Sequence, residues 1–265
     1  MEERKNTALV TGASSGIGLA ISCELARRGY PLLMVSNEEK VAQEAQRLQT
    51  EYAVKTSSLC MDLAQRDSAQ KLFEHCQANN FKIEILVNNA GIFFFKDVID
   101  TQIQRIETIL NLHIYTPAML SRLFAERMVA ENRKGYILNM SSISSRMMMP
   151  GITLYSSTKS FLRCFSRAMR NEVYDKGVGI TTVSPGAVAT SLYNLSARYL
   201  KLGLRLGIMV TPERLAKLAV KKMLKRKAEF IPGGLVNRPF IFLVEALPEA
   251  LVRKCKKLVD KKLKN

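Results

Sequence analysis

Tyr155 and Lys159 lie four positions apart, close to the start of a segment with helical periodicity. This spacing places two side chains on the same face of a helix. A phenol has a pKa of about 10 and is a weak base at neutral pH, but a neighbouring ammonium favours the phenolate and lowers that pKa. The pair could therefore exchange a proton with the oxygen of a bound substrate. Such pairs are common on helix surfaces, so the surrounding residues must decide whether this one forms a site.

A serine precedes this pair at a position that suits the same chemistry. Ser142 lies thirteen residues before Tyr155, just after the strand-like segment Gly135–Met140. A hydroxyl at the end of a strand could hold a carbonyl oxygen and polarise it. Ser141 is the alternative if the register is shifted by one residue. The three side chains together predict proton transfer to or from a carbonyl or alcohol oxygen.

A glycine-rich loop near the N-terminus predicts a nucleotide site. The strand-like run Thr7–Thr11 is followed by Gly12, Gly16 and Gly18, and the helix-like segment Gly16–Arg28 begins inside the loop. Glycines allow a tight turn and a close approach to a pyrophosphate, and a helix N-terminus offers free N–H groups to that anion. The spacing, Gly-x-x-x-Gly-x-Gly, differs from the Gly-x-Gly-x-x-Gly dinucleotide fingerprint.

The segments that carry these residues alternate between strand-like and helix-like patterns, which predicts a parallel sheet with helices on both faces. The strand-like segments are Thr7–Thr11, Pro31–Val35, Thr56–Met61, Ile85–Val87, Gly135–Met140, Gly179–Ser184 and Phe230–Ile231. The helix-like segments are Gly16–Arg28, Glu38–Thr50, Ser68–Asn79, Thr101–Glu131, Tyr155–Asp175 and Pro212–Lys227. No linker or repeat interrupts them, so we expect an α/β fold of the Rossmann type, doubly wound, with one domain over residues 1–265. Ligands bind such sheets beyond the carboxyl ends of the strands.

The glycine spacing and the order of Ser142, Tyr155 and Lys159 resemble the short-chain dehydrogenase/reductase family, in its simple branch. The resemblance runs in order from about Thr7 to Thr190. It implies hydride exchange between a nicotinamide cofactor and a carbonyl or alcohol carbon, with Tyr155 as proton donor or acceptor and Lys159 binding the ribose. It also implies a fourth catalytic residue, Asn111, which helps a water relay protons from the lysine.

The same resemblance implies a set of residues that contact the cofactor. Asp62 matches an acid near the adenine amino group, Asn89 belongs to an Asn-Asn-Ala-Gly run against the adenosine, and Thr190 matches a residue that binds the carboxamide. The full set is Gly12, Ser14, Ser15, Gly16, Ile17, Gly18, Ser36, Asn37, Asp62, Leu63, Asn89, Ala90, Gly91, Tyr155, Lys159, Pro185, Gly186, Val188 and Thr190.

The end of the second strand bears on the choice between NADP and NAD. In many nucleotide-binding folds an acid there binds the ribose diol of NAD, whereas an arginine accommodates the 2′-phosphate of NADP. Ser36 and Asn37 provide neither group, but both can donate hydrogen bonds to a phosphate. Because the acid is absent and the chain is strongly basic, we expect NADP (NADPH) rather than NAD.

Several apolar segments suggest a hydrophobic substrate. Phe93–Phe95 and Met147–Met149 are predicted to form an apolar wall, with core packing as the alternative. Residues 192–209 lie where the family has a substrate lid, and they are rich in leucine; they could equally pack on a partner subunit. Residues 239–265 form a basic amphipathic tail, which could lie on an anionic membrane surface or pack on the domain.

Composition limits the classes of partner. The net charge is +17, which favours anionic ligands, but no nucleic-acid motif is present and we expect no nucleic-acid binding. Five cysteines without a CxxC pair are expected to be small buried hydrophobes of a reducing compartment, and no metal site is indicated. No secretory leader or membrane-spanning stretch is evident. We therefore expect a cytoplasmic protein, with peripheral membrane contact left open, and by analogy a homo-oligomer, either dimer or tetramer.

These observations predict a carbonyl reductase of lipid metabolism. The expected substrate is a small hydrophobic, lipid-like ketone, and the resemblance implies a 3-oxoacyl thioester, a sphingoid ketone or a steroid, which members of the family with similar lids reduce. One rival hypothesis is a nucleotide-binding scaffold or sensor that kept the fold without turnover. The presence of all four catalytic residues argues against it. An epimerase or dehydratase of the extended branch is a further alternative, which the glycine spacing disfavours.

Overall fold

The computed structural model describes residues 5–147, 149–190 and 209–264. The strands are β1 Thr7–Thr11, β2 Leu32–Ser36, β3 Thr56–Cys60, β4 Ile83–Asn88, β5 Gly135–Met140, β6 Val178–Val183, β7 Ala187–Val188, β8 Met209–Val210 and β9 Glu229–Phe230. The helices are α1 Gly16–Arg27, α2 Lys40–Tyr52, α3 Ser68–Ala78, α4 Ile103–Leu110, α5 Thr116–Ala130, α6 Thr153–Val173, α7 Pro212–Leu224, α8 Gly234–Glu245 and α9 Glu249–Lys264.

Seven strands form one parallel sheet in the order β3-β2-β1-β4-β5-β6-β9. The chain first builds outward from β1 to β3 and then returns to build β4, β5 and β6 on the other side of β1. The strand order therefore reverses between β1 and β4, and a crevice opens beyond the carboxyl ends of strands at such a reversal. This topology confirms the predicted Rossmann-type α/β fold.

The sheet is buried on both faces. Successive side chains along a strand point to opposite faces, and in these strands both sets are apolar. In β1, Ala8 and Val10 pack with α1, α2 and α7 on one face, and Leu9 packs with α3, α5 and α6 on the other. All three side chains are fully buried. Burial of a leucine side chain contributes about 2 kcal/mol. Because this burial holds each strand in its register, it also determines which residues lie at the carboxyl ends of the strands, beside the crevice.

The structure interrupts the long helix that we predicted over Thr101–Glu131. Helix α4 ends at Leu110, a wider π-helical turn covers Asn111–Tyr115, and α5 begins at Thr116. Single π-turns inside helices are rare and occur frequently at functional sites. The turn carries one of the predicted catalytic residues, Asn111. Helix α6 begins at Thr153, two residues before the predicted start.

The cysteines are less uniform than we predicted. Cys76 is buried in α3, and Cys23 is partly buried. The expectation of burial is wrong for Cys60 and Cys164, which are exposed. Cys60 lies on β3, the edge strand of the sheet, and Cys164 lies on the solvent side of α6. Both positions leave a side chain outside the apolar layers.

The C-terminal tail forms two helices, separated by a short connection that contains Pro248. Helix α9 contacts the loop after β4, where the Nζ of Lys256 lies 2.8 Å from the Oδ2 of Asp97. In α8, Phe242 and Leu243 are 74% and 63% exposed. None of the helices in the described ranges combines the length and apolar character needed to cross a bilayer. The predicted lid over residues 192–209 lies outside the described residues, apart from Met209.

Candidate active site

The glycine-rich loop occupies the crevice, and its backbone requires glycine. Gly12 and Gly16 have φ of +65° and +55°, in the left-handed region that side chains disfavour. A Cβ on Gly12 would lie 2.9 Å from the Cα of Ala90, on the loop after β4. The two loops therefore approach as closely as their backbones allow. The N-terminus of α1 borders the cleft beside this contact, and together with the loop it forms an open cradle that suits a pyrophosphate.

Gly18 has a packing role behind the loop. A Cβ there would lie 2.0 Å from the carbonyl oxygen of Gly12, so any side chain would force α1 away from the loop. Gly18 does not line the cleft itself.

Replacing Gly18 with alanine should therefore damage the cradle. We expect binding of the nicotinamide cofactor to weaken by about tenfold or more, because the loop must shift to relieve the clash. Gly29→Ala is the matched control. Gly29 lies just beyond α1, has φ of +80°, and a Cβ there would meet the Nζ of Lys5 at 3.6 Å. Its replacement should cost about 1 kcal/mol of stability without changing affinity. Equal affinities for Gly18→Ala and wild type by fluorescence titration would contradict this role.

A threonine ties the two loops together. The hydroxyl of Thr11 donates to the carbonyl of Val87 at 3.1 Å and accepts from the N–H groups of Asn89 and Ala90 at 3.0 and 3.1 Å. The side-chain amide of Asn89 returns a bond to the carbonyl of Thr11 at 3.0 Å. These bonds join the ends of β1 and β4, the two strands that flank the crevice.

A second polar network fixes the neighbouring strand ends from inside the sheet. The side-chain amide of Asn88 donates to the Oδ1 of Asn139 at 2.7 Å and to the hydroxyl of Ser121 at 3.1 Å. Asn139 donates in turn to the hydroxyl of Ser166 at 2.8 Å. The four residues are buried on β4, β5, α5 and α6. A satisfied buried network of this kind specifies one arrangement of the elements that it joins.

The tyrosine and the lysine meet on α6, as their spacing predicts. The Nζ of Lys159 lies 5.6 Å from the centroid of the Tyr155 ring and donates to the carbonyl of Met140, at the end of β5, at 2.9 Å. Lys159 is only 5% exposed. Burial lowers the pKa of its ammonium from 10.5 to about 8. A cation held this close to a phenol favours the phenolate.

The geometry distinguishes between the two candidate serines. The hydroxyl of Ser141 donates to the backbone carbonyl of Lys159 at 2.9 Å, so its proton is already used in a hydrogen bond within the protein. The hydroxyl of Ser142 accepts from the N–H of Ser144 at 3.2 Å, which leaves its own proton free to donate. Both serines line the cleft. The arrangement favours Ser142 as the group that would hold a carbonyl oxygen.

The far end of the cleft is formed by the ends of β2 and β3. The hydroxyl of Ser36 donates to that of Ser14 at 2.9 Å, and the N–H of Glu38 donates to Ser36 at 3.3 Å. Asp62 accepts from the N–H of Ala64 at 2.9 Å, which closes the turn after β3. These groups lie where an adenosine ribose and adenine would be held in a doubly wound fold.

Nearly all predicted cofactor residues line this one cleft. Those that do are Gly12, Ser14, Ser15, Gly16, Ile17, Ser36, Asn37, Asp62, Leu63, Asn89, Ala90, Gly91, Tyr155, Lys159, Pro185, Gly186, Val188 and Thr190. Ser142 lines it as well, whereas Gly18 and Asn111 do not. Because these residues surround one cleft at the N-terminus of α1, and a Cβ on Gly12 would force its loop away from the loop after β4, the residues present fit a dinucleotide.

Sequence reasoning missed one lining residue with a distinctive environment. His113 was not among the predicted site residues, yet it lines the cleft, and its ring centroid lies 5.7 Å from that of Tyr155. Its position depends on the π-helical turn, for which the sequence gives no clear signal. Ile92, Leu112 and Met140 also line the cleft and were not predicted.

Comparisons with known proteins agree with this geometry. A family model described as short chain dehydrogenase matches residues 6–199. The chain is 39% identical over 191 residues to very-long-chain 3-oxoacyl-CoA reductase-A of Danio rerio, covering 70% of this chain and 59% of that protein. It is 31% identical to the human very-long-chain 3-oxoacyl-CoA reductase, covering 92% and 74%. The chain thus spans about three fifths of the length of the Danio rerio relative.

Solved structures give the same result. The fold matches a short-chain dehydrogenase from Sphingobium yanoikuyae in complex with NADPH, with a TM-score of 0.78, 25% identity, and coverage of 96% and 95% of the two chains. It also matches a bulky-bulky ketone specific alcohol dehydrogenase from Comamonas testosteroni, with a TM-score of 0.76, 25% identity, and coverage of 94% and 97%. From its cleft, its fold and its relatives, the chain belongs to the short-chain dehydrogenase family of oxidoreductases.

Proposed function

We propose that this enzyme uses NADPH to reduce a ketone on a long apolar substrate of the 3-oxoacyl thioester class. The observation that carries the proposal is the meeting of Ser142, Tyr155 and Lys159 in the same cleft as the glycine-rich loop. A proton donor, a hydroxyl and a nucleotide cradle in one cleft are the parts that carbonyl reduction needs.

Each side chain has a distinct task in this proposal. A nicotinamide cofactor held by the glycine-rich loop and Lys159 would supply the hydride for the carbonyl carbon. The hydroxyl of Ser142 donates a hydrogen bond to the carbonyl oxygen, because a carbonyl oxygen can only accept and the bond from Ser144 leaves the O–H of Ser142 available. Tyr155 passes its phenolic proton to that oxygen, and the ammonium of Lys159 stabilises the phenolate that remains. The reverse oxidation uses the same groups.

Asn111 supports the return of the proton to Tyr155. It lies at the start of the π-helical turn, outside the cleft lining. We assign it to holding a water that relays protons from Lys159. Asn111→Ala should then lower turnover without changing NADPH affinity.

The proposed substrate class rests on the apolar side chains next to the tyrosine and on the relatives. Phe93 contacts the Tyr155 ring edge-on, with centroids 5.0 Å apart, and Ile92 lines the cleft beside it. Met149 and Phe95 are 41% and 47% exposed. Met147 is buried, which fits the core alternative for that residue. Relatives named very-long-chain 3-oxoacyl-CoA reductases support a thioester with an acyl chain.

A lid over residues 192–209 is part of the proposal. Strand β7 pairs with β8, so the described residues on either side of this segment lie next to each other, with Val188 opposite Val210, and Val188 lines the cleft. A segment anchored there is well placed to cover a substrate.

The substrate class can be tested by NADPH oxidation with a panel of ketones. We expect activity with 3-oxoacyl-CoA thioesters, with kcat/KM rising as the acyl chain lengthens, because each buried methylene adds about 0.8 kcal/mol. Activity confined to small polar sugars would contradict the proposal. A flat response to chain length would contradict an apolar acyl site.

The proposed preference for NADPH can be reversed by one substitution. Ser36→Asp places a carboxylate where it repels a 2′-phosphate and accepts from a ribose diol. We expect the ratio of kcat/KM for NADPH to that for NADH to fall by about a hundredfold, equivalent to about 3 kcal/mol. Ser58→Asp, at an exposed position on β3, is the matched control and should leave the ratio unchanged. A ratio that stays the same in Ser36→Asp would rule out this position as the determinant.

The proposed association state is a homo-oligomer. Helix α4 packs against α6. The two helices carry exposed apolar side chains, namely Ile103 and Leu110 on α4 and Phe161 on α6. A self-complementary contact over these helices would cover them. Light scattering after size exclusion should give a dimer or tetramer, and a monomer at micromolar concentration would contradict the assignment.

A further inference from the structure

His113 is almost completely buried, at 1% exposure, and links the cofactor loop to the catalytic helix. Its Nε2 lies 3.0 Å from the backbone nitrogen of Ile92, and its Nδ1 lies 3.0 Å from the hydroxyl of Thr158. A backbone N–H can only donate, so Nε2 must carry the lone pair and Nδ1 the proton. Thr158 therefore accepts from His113 and donates to the carbonyl of Tyr155 at 2.8 Å. The direction of every bond in this chain is fixed.

The surroundings keep the imidazole neutral. Protonation of Nε2 would set two donors against each other at Ile92, and it would add a second buried cation near Lys159. Burial, and then the charge of Lys159, holds the pKa of His113 well below its usual value. The titratable groups that face the ring are Lys159 and Tyr155, both on α6. The neutral tautomer with one donor and one acceptor is thus the form that operates at physiological pH.

The ring also bounds the space of the catalytic phenol. The Tyr155 ring contacts Phe93, at 5.0 Å and 87°, and His113, at 5.7 Å and 75°, and both contacts are edge-to-face. A Cβ on Gly91 would lie 2.8 Å from the Nε2 of His113, so the cofactor loop reaches the imidazole only because residue 91 is glycine. His113 is therefore held by hydrogen bonds, by ring contacts and by the close approach of the backbone at Gly91.

We propose that His113 is a positioning residue for Tyr155, which it holds in register with the cofactor loop through the chain Ile92–His113–Thr158–Tyr155. The inference rests on the proposed role of Tyr155 as proton donor. In this role the imidazole acts through Tyr155 and transfers no proton itself. A displacement of a catalytic group by about 1 Å can cost about a hundredfold in rate, so loss of the chain should reduce kcat more than ground-state binding.

The experiment compares His113→Phe, which keeps a ring but removes both hydrogen bonds, with His113→Gln, whose amide offers one acceptor and one donor. We expect His113→Phe to lower kcat by about tenfold or more, with less than about a threefold change in the KM for NADPH, and His113→Gln to recover most of the loss. His75→Phe alters the chain's other histidine, on α3, and should match wild type. Wild-type kcat in His113→Phe, or no recovery in His113→Gln, would overturn the inference.

Thr158→Val removes the middle link and keeps the test valid if His113→Phe folds poorly. It should lower kcat alone, and the double variant should be no worse than the more impaired single variant, because one broken link already interrupts the chain. Additive losses would overturn the inference. Failure of the positioning role can be distinguished from failure of the proposed function. If Tyr155→Phe loses turnover and the His113 and Thr158 variants do not, only the positioning role fails.

Discussion

Replacing Tyr155 with phenylalanine should lower kcat by about 10²–10⁴-fold, the usual contribution of a positioned acid, while NADPH affinity changes little. Phenylalanine keeps the ring that contacts Phe93 and His113, so both edge-to-face contacts are preserved. The substitution removes the phenolic hydroxyl, and with it the proton that it donates. Turnover is measured by NADPH oxidation, and affinity by fluorescence titration of the same preparation.

Tyr174→Phe is the matched control. Tyr174 lies at the C-terminal end of α6, where its ring stacks against Arg170 and Arg226, and removal of its hydroxyl should leave turnover unchanged. Wild-type turnover in Tyr155→Phe would refute the assignment of the proton donor. If wild type itself bound NADPH but turned over no ketone in the panel, the rival hypothesis of a nucleotide-binding scaffold would gain support.

Lys159→Met should be equally damaging to turnover, by about a hundredfold or more, yet leave the protein stable. Two terms of opposite sign act on stability. The variant no longer buries an ammonium whose pKa is depressed to about 8 from 10.5, which relieves about 3 kcal/mol near neutral pH. It leaves the buried carbonyl of Met140 without its donor, which costs about 1–3 kcal/mol. The terms nearly cancel, so a large loss of activity with a similar melting temperature is expected.

The same lysine gives a pH signature with a definite sign. Its pKa is lower in the folded state than in the unfolded state, so the unfolded chain binds more protons between about pH 8 and about pH 10.5. The stability of wild type should therefore rise relative to Lys159→Met, by about 2 kcal/mol from about pH 7.5 to about pH 9.5. Urea unfolding of both proteins at the two pH values measures the difference. A difference that stays constant or falls would show that Lys159 is not desolvated as described.

Much of the cleft could be predicted because its residues lie at strand ends. Apolar runs locate the strands, and the carboxyl ends of parallel strands share one edge, so Gly12, Ser36, Asp62, Asn89 and Ser142 meet without any contact being known in advance. The spacing of Tyr155 and Lys159 works in the same way, since helical periodicity alone places them on one face.

The rest depends on features that carry no local signal. Helical periodicity continues through Thr101–Glu131, so the wide turn at Asn111–Tyr115 could not be predicted from the sequence. Because His113 lies in that turn, its position in the cleft could not be predicted either. Gly18 was assigned to the cofactor because it belongs to the glycine pattern, whereas a backbone oxygen 2.0 Å from its Cβ position shows a packing requirement. Exposure of Cys60 follows from β3 being an edge strand, which only the strand order reveals.

The most direct test follows the transferred hydrogen. Purified protein is incubated with a long-chain 3-oxoacyl-CoA and with NADPH that carries deuterium at the transferable position, and the product is examined by mass spectrometry. We expect wild type to form a 3-hydroxyacyl-CoA with one deuterium on the former carbonyl carbon, and Tyr155→Phe to form it at least about a hundredfold more slowly. Product without deuterium, or equal product from both proteins, would contradict it.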